Sequence, residues 1–212
     1  MKIIKPSYEI LTEISDGGVK ELQFIEKVGR TCYKSEDKIE NLEKTAAFVK
    51  MLISRGHEAM IEHSTLSVKF VCDRGVSHEL VRHRLCSFAQ ESTRYCNYSG
   101  DKFGNELTFI EPEFFNNKYA NYETWLYCCR EAEDKYMHLL ANGAKPEEAR
   151  AILPNSLKTE IVVKANYREW RNIFKLRTDK AAHPQMRELM IPLLDELKRK
   201  LPIVFDDIEV IQ

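Results

Sequence analysis

Residues 65–73 alternate without a break: Leu66, Val68, Phe70 and Cys72 fall on one side, Thr65, Ser67, Lys69 and Val71 mostly on the other. A period of two with one apolar face describes a strand buried on that face. Such a strand needs neighbours and a covering layer, so it commits the chain to a sheet with helices packed on it. Arg74-Gly75 then turns the chain. In residues 76–85, Val76, Leu80, Val81 and Leu85 recur at helical spacing, which predicts a helix carrying Glu79, Arg82 and His83 on a shared face. That helix delivers the chain into a loop with an unusual density of polar groups. Arg82, His83, Arg84, Ser87, Gln90, Glu91, Ser92 and Arg94 lie within fourteen residues, interleaved with Leu85, Phe88 and Tyr95.

The flanking segments fit around this centre. Residues 3–11 are β-prone, with Pro6 at an edge position. Asp16-Gly17-Gly18 reads as a turn, and residues 19–30 and 39–55 as helices. In the second, Leu42, Ala46, Val49 and Ile53 share a face and Gly56 is the stop. Residues 101–105 read as a loop and 107–110 as a short strand. Residues 113–142 read as one long helix with the stripe Tyr119, Tyr122, Trp125, Leu126, Cys129, Ala132, Tyr136 and Leu139. Pro146-Glu147-Glu148 opens a short helix that Pro154 stops. Residues 158–165 read as a strand, and 167–177 and 184–200 as helices. Strands and helices alternate irregularly over the 212 residues. The pattern predicts an α+β fold in a single domain over residues 1–212, a mixed or antiparallel sheet flanked by helices, one of them long.

Composition removes several functions. Lys and Arg number 32 against 33 Asp and Glu, for a net charge of −1, which argues against a general nucleic-acid binder. No apolar run approaches the ~18 residues of a membrane span. The start, Met1-Lys2-Ile3-Ile4-Lys5-Pro6, lacks the apolar region of a secretory signal, and the six cysteines form no C-x-x-C pair. They read as reduced thiols of a cytoplasmic protein. His57-Glu58-Ala59-Met60-Ile61-Glu62-His63 is not a zinc helix, because Ile61 stands where the second His is needed. Its two His lie roughly 600° apart around a helix, so no metal is expected. Neither a G-x-G-x-x-G fingerprint nor a P-loop is present.

Three Arg in fourteen residues suit an anion, because each guanidinium offers a planar fork of donors to phosphate oxygens, although a solvated basic segment has the same composition. The order of residues adds to this. Arg82-His83-Arg84, seven residues, Ser92, then Arg94-Tyr95 resembles the signature of flavin-dependent thymidylate synthases. Gly56-His57-Glu58 with Glu62-His63, Ala149-Arg150-Ala151 with Pro154, and Asn166-Tyr167-Arg168 with Asn172 and Arg177 resemble further segments of that family. Two places depart from it. Ala59 stands where the family usually has a hydroxyl residue, and Glu79 where it often has Gln.

The resemblance implies reductive methylation of dUMP to dTMP. Methylene-tetrahydrofolate would give the carbon, and FAD recharged by NADPH the hydride. It implies His57, Glu62, Arg82, His83, Arg84, Gln90, Asn166, Arg168 and Asn172 at the flavin. It implies Glu79, Arg82, Gln90, Ser92, Arg94, Arg150 and Arg177 at dUMP, with Arg177 catalytic, in a homotetramer whose sites are shared between subunits. On residue types alone, Asn166 reads equally as a helix cap and Arg177 as a partner of Asp179. Two other functions stay open at this point: a nucleotide- or RNA-binding module, and a flavin reductase on the same scaffold.

Overall fold

The computed structural model describes residues 1–32, 34–100 and 104–210. Of the loop expected over 101–105, residues 101–103 lie outside the described residues. The strands are β1 (Lys2–Ile4), β2 (Ser7–Ile10), β3 (Thr65–Asp73), β4 (Ser87–Gln90), β5 (Thr108–Ile110) and β6 (Lys158–Asn166). The helices are α1 (Val19–Thr31), α2 (Leu42–Ser54), α3 (Arg74–Leu80), α4 (Tyr119–Ala141), α5 (Pro146–Ala149), α6 (Tyr167–Arg177), α7 (Pro184–Lys200) and α8 (Pro202–Phe205). The fold is α+β: an antiparallel four-stranded sheet in the order β2-β3-β6-β4, and a parallel pair β1-β5 that sets Ile3 against Phe109.

Internal contacts divide the chain into two units. The first holds Met1–Tyr8, Lys69–Arg82 and Phe88–Val162, and the second Glu9–Val68, His83–Ser87 and Val163–Gln212. In the first, Leu107, Phe109, Cys129, Tyr136, Ala149 and Leu157 form the core, with Tyr98 tilted against Tyr136. In the second, Trp170 stacks on Phe174, and Phe174 meets Phe205 edge-on. Trp170 also donates its indole N–H to the Leu66 carbonyl at 2.9 Å, so the buried ring is satisfied.

Strand β3 has the bounds its alternation predicts, and Leu66, Val68, Phe70 and Cys72 are all fully buried. Helices α6 and α7 also begin and end as expected. Asp73 caps α3 by accepting from the Val76 N–H at 2.7 Å.

Two helices depart most from expectation, and β4 forms where a loop was expected. The helix expected over 76–85 ends at Leu80, so Arg82 and His83 are not on a helix face with Glu79. The apolar spacing that suggested extension rested on Val81 and Leu85, which are 39% and 76% exposed. Side chains this exposed bury little apolar surface to offset the cost of fixing another turn. The long helix starts at Tyr119, after a short 3₁₀ turn at Glu113–Phe115. Asn116-Asn117 follows that turn, and Asn side chains compete with helical backbone bonds. Of the expected stripe, Cys129 and Tyr136 are buried while Tyr119 is 79% exposed.

Candidate functional site

In the second unit, the 3₁₀ turn Glu58–His63 and the start of α6 enclose a cleft of about 620 Å³. That is within the ordinary range of ligand pockets. Glu62, Asn166, Arg168 and Asn172, four residues singled out from the sequence, line it together with Leu85. Glu58, Glu169, Arg171 and Lys175 complete the wall, and sequence reasoning missed them as site residues. For Glu169, Arg171 and Lys175, spacing from Asn166 along α6 was the available signal, and for Glu58 its place between His57 and Glu62. The wall therefore balances three carboxylates against three cations.

Arg168 NH1 donates to Glu62 Oε1 at 2.6 Å, and this pairing raises the guanidinium's pKa. Arg171 is buried and grips Asp207 with both terminal nitrogens while its Nε donates to Glu58. Asn166 Oδ1 caps α6 by accepting from the Glu169 N–H at 2.8 Å, so the capping alternative holds for that oxygen. The cap occupies one lone-pair acceptor and leaves the carboxamide's two N–H donors to other uses. His57 and Arg84 are exposed and are not part of the cleft wall.

His83 is buried at 7% exposure. Arg177 Nε donates to its Nε2 at 3.0 Å, and Glu169 Oε1 lies 3.4 Å from its Nδ1. Burial and the neighbouring Arg177 charge hold its pKa below the ordinary histidine value, outweighing Glu169, so the ring is neutral near pH 7. The half-buried Arg177 is thus fixed through its Nε.

The first unit carries the other group. Gln90 donates to Ser77 Oγ at 2.9 Å and to Thr159 Oγ1 at 3.3 Å. Beyond β4, the segment Ser92-Thr93-Arg94 folds back through a 3.2 Å bond from the Arg94 N–H to Ser92 Oγ. Arg94 Nε donates to Glu147 of α5 at 3.3 Å, and Arg150 NH1 donates to Thr93 Oγ1 at 3.4 Å. Ser92, Arg94 and Arg150 are therefore drawn together by α5. Arg94 and Arg150 are both exposed, as a site for an incoming anion requires. Arg82 is exposed just past α3, and Glu79 is half-buried.

Each unit thus carries its own cluster of charged and carboxamide side chains on an α+β frame, donor sets of the kind that enzymes acting on phosphorylated compounds use. The comparisons with known proteins make this specific. The family model described as "Thymidylate synthase complementing protein" matches residues 19–203, and the chain belongs to that family.

Its relatives include the flavin-dependent thymidylate synthase of Corynebacterium aurimucosum, 32% identical over 93% of this chain and 84% of that protein. The enzyme of the same name from Mycolicibacterium vanbaalenii is 34% identical over 93% and 82%. The one from Pyrococcus furiosus is 35% identical over 70% and 61%. Among solved structures, a UMP/dUMP methylase, PolB, from Streptomyces cacaoi bound with 5-Br dUMP superimposes with a TM-score of 0.81. That match covers 97% of this chain and 96% of the other at 18% identity, and so bears on the fold.

Proposed function

We propose that this chain is a flavin-dependent thymidylate synthase that converts dUMP to dTMP and acts as one catalytic domain in the cytoplasm. The observation that carries the reading is the span of the family match. Residues 19–203 include every candidate site residue, from His57 to Arg177.

The cleft residues suit FAD. Asn166 and Asn172 offer carboxamides to the hydrogen-bonding edge of a flavin ring, and Arg168 and Lys175 offer charge to phosphates. A phosphate at Arg168 would compete with Glu62 for the guanidinium. Glu62 and His57 would then border the cofactor, with Arg82, His83, Arg84 and Gln90 completing its surroundings. FAD, recharged by NADPH, supplies the hydride when bound, and methylene-tetrahydrofolate supplies the carbon.

The chain's own residues bind, orient and polarise. Ser92, Arg94 and Arg150 take the nucleotide phosphate, with Glu147 giving up Arg94 to it. Glu79, Arg82 and Gln90 hold the rest of the nucleotide. Arg177 faces the pyrimidine and stabilises the negative charge that develops as carbon 5 becomes nucleophilic.

Tritium release from dUMP labelled at carbon 5, in the presence of FAD, NADPH and methylene-tetrahydrofolate, tests this reading directly. NADPH oxidation without any need for dUMP would identify a reductase instead. Salt-sensitive RNA binding without turnover would identify a binding module. A titration with no saturable FAD binding in the micromolar range would sink both flavin readings.

The family resemblance further supports a homotetramer with shared sites, and closed symmetry is the rule for soluble homo-oligomers. Light scattering should give four times the 24.8 kDa chain mass. An active monomer would refute shared sites.

A further inference from the structure

Glu169 carries no role in the sequence signatures, yet it touches three of the candidate site residues and reaches a fourth through one of them. It is 7% exposed and is the third residue of α6. Its N–H donates to Asn166 Oδ1 at 2.8 Å, and both carboxylate oxygens lie 3.4 Å from Asn172 Nδ2. Oε1 is also 3.4 Å from His83 Nδ1, and His83 Nε2 in turn accepts from Arg177.

The ordinary function of Asn-x-x-Glu at a helix start is a capping box, in which the Glu side chain reaches back to the cap residue's own N–H. Here the Asn166 half of the box is made, while the carboxylate is turned to His83 and Asn172.

The hydrogen bonds fix the state of the ring. Arg177 Nε always carries a hydrogen and can only donate, so His83 Nε2 must be bare. The single ring proton then sits on Nδ1, pointing at Glu169. In water the other tautomer is the commoner. An Nε2–H ring would set two hydrogens against each other and leave Arg177 unheld on that side. The carboxylate is the group that selects between these two forms.

We propose that Glu169 is a positioning residue of the reaction: it holds His83 as the Nδ1–H tautomer, which makes Nε2 the acceptor that fixes the Arg177 guanidinium. The proposal rests on the thymidylate synthase reading for what Arg177 does. Partners that orient a functional imidazole typically matter by about 10- to 100-fold.

The test uses the full-length protein and the variants Glu169→Ala and Glu169→Gln. Nitrogen-15 NMR of the histidine side chains in the wild type should show His83 protonated on Nδ1 and bare on Nε2. Glu169→Ala should shift that signature toward Nε2–H and lower turnover at saturating dUMP about 10- to 100-fold, with the KM for dUMP little changed. Glu169→Gln keeps a carbonyl acceptor for Nδ1–H and should restore most of both. Turnover is compared at saturating FAD, because Glu169 also lines the cleft.

A wild-type Nε2–H ring overturns the proposal, even if the alanine variant cannot be purified. Full turnover in Glu169→Ala overturns it as well. So does an activity loss that follows the melting temperature while the tautomer stays put. A wild type without any dTMP formation sinks the functional reading instead, and the NMR result still decides what Glu169 does to His83.

Discussion

At saturating dUMP, Arg177→Ala should turn over about 10²- to 10³-fold more slowly than the wild type, the usual cost of removing a donor aimed at developing charge. Ser92→Ala should keep measurable turnover. The two residues are opposite cases. Arg177 is half-buried and fixed through Nε by a neutral His83, so its charge is already oriented before the substrate reacts. Preorganisation of that kind lowers the barrier without reorganisation during the reaction. Lysine should not rescue it, because an ammonium has no Nε fork to engage His83.

Ser92 invites a nucleophile reading by its place in the signature. A serine attacks only when a base activates it. Its Oγ accepts from the Arg94 N–H in a tight turn, and the side chains that the turn's bonds gather include the cations Arg94 and Arg150 and the carboxylate of Glu147 that pairs with Arg94. That setting suits a donor to phosphate. Losing one hydrogen bond to a charged group should cost about 1.5–3 kcal/mol, expressed mostly in dUMP affinity. Steady-state kinetics on both variants checks the ranking. The reverse order, or a covalent Ser92–nucleotide adduct seen by mass spectrometry, would overturn both assignments.

How much of this was legible in the sequence depends on what each element answers to. Strand β3 and helices α6 and α7 answer to apolar periodicity over nine or more residues, and they stand where the periodicity put them. Strand β4 spans only Ser87–Gln90, too short for a period of two to show inside the polar signature, and was read as loop. Residues 81–85 show the converse. Val81 and Leu85 mimic a helical stripe, but exposure is a tertiary property that spacing cannot reveal.

The candidate site divides in the same way. Glu62, Asn166, Arg168 and Asn172 meet in one cleft, and Ser92, Arg94 and Arg150 gather at α5. The groups that hold them, Glu169, Arg171 and Glu147, belong to no motif. Each works through partners distant in the chain, Glu147 with Arg94 53 residues away, Glu169 with His83 86 residues away, and Arg171 with Asp207 and Glu58 36 and 113 residues away, and only folding reveals such pairs. Asn166 shows that one residue can answer to both levels, since its oxygen caps α6 while its amide remains available to the cleft.

Asp207→Ala should be the most destabilising exposed-residue substitution in the second unit, and it should damage the cleft as well. Arg171 is 2% exposed, so its charge has left water. Asp207 Oδ1 and Oδ2 take its two terminal nitrogens at 2.5 and 2.7 Å, Glu58 takes Nε at 3.2 Å, and the Val204 carbonyl accepts from NH1. The bidentate bond from Arg171 holds the Asp207 carboxyl below the usual carboxylate range.

The asymmetry of burial decides which deletion costs more. Asp207 has a side chain 56% exposed, so Arg171→Met strands a carboxylate that water can solvate. Asp207→Ala instead strands a guanidinium in the interior with half its partners. Leaving a buried charge uncompensated costs about 3–5 kcal/mol, and the Glu58 and Val204 bonds keep this case near the lower figure. For a chain of this length, about 3 kcal/mol corresponds to roughly 6–12 °C in melting midpoint.

The pH dependence has a definite sign. A folded-state pKa depressed below the unfolded value means that the pair's contribution is fully present above the unfolded carboxylate pKa of ~3.9. It is lost as pH falls through the lower folded value. The wild type should therefore lose the difference from Asp207→Ala on acidification below about pH 4.

Because Arg171 stands between Arg168 and Asn172 in the cleft wall, freeing it should also weaken FAD binding, whereas Arg171→Met should melt less early. Calorimetry across pH, paired with FAD titration, measures both effects. Melting of Asp207→Ala within about 2 °C of the wild type, or above Arg171→Met, would show that water reaches Arg171 and that the pair does not anchor the cleft.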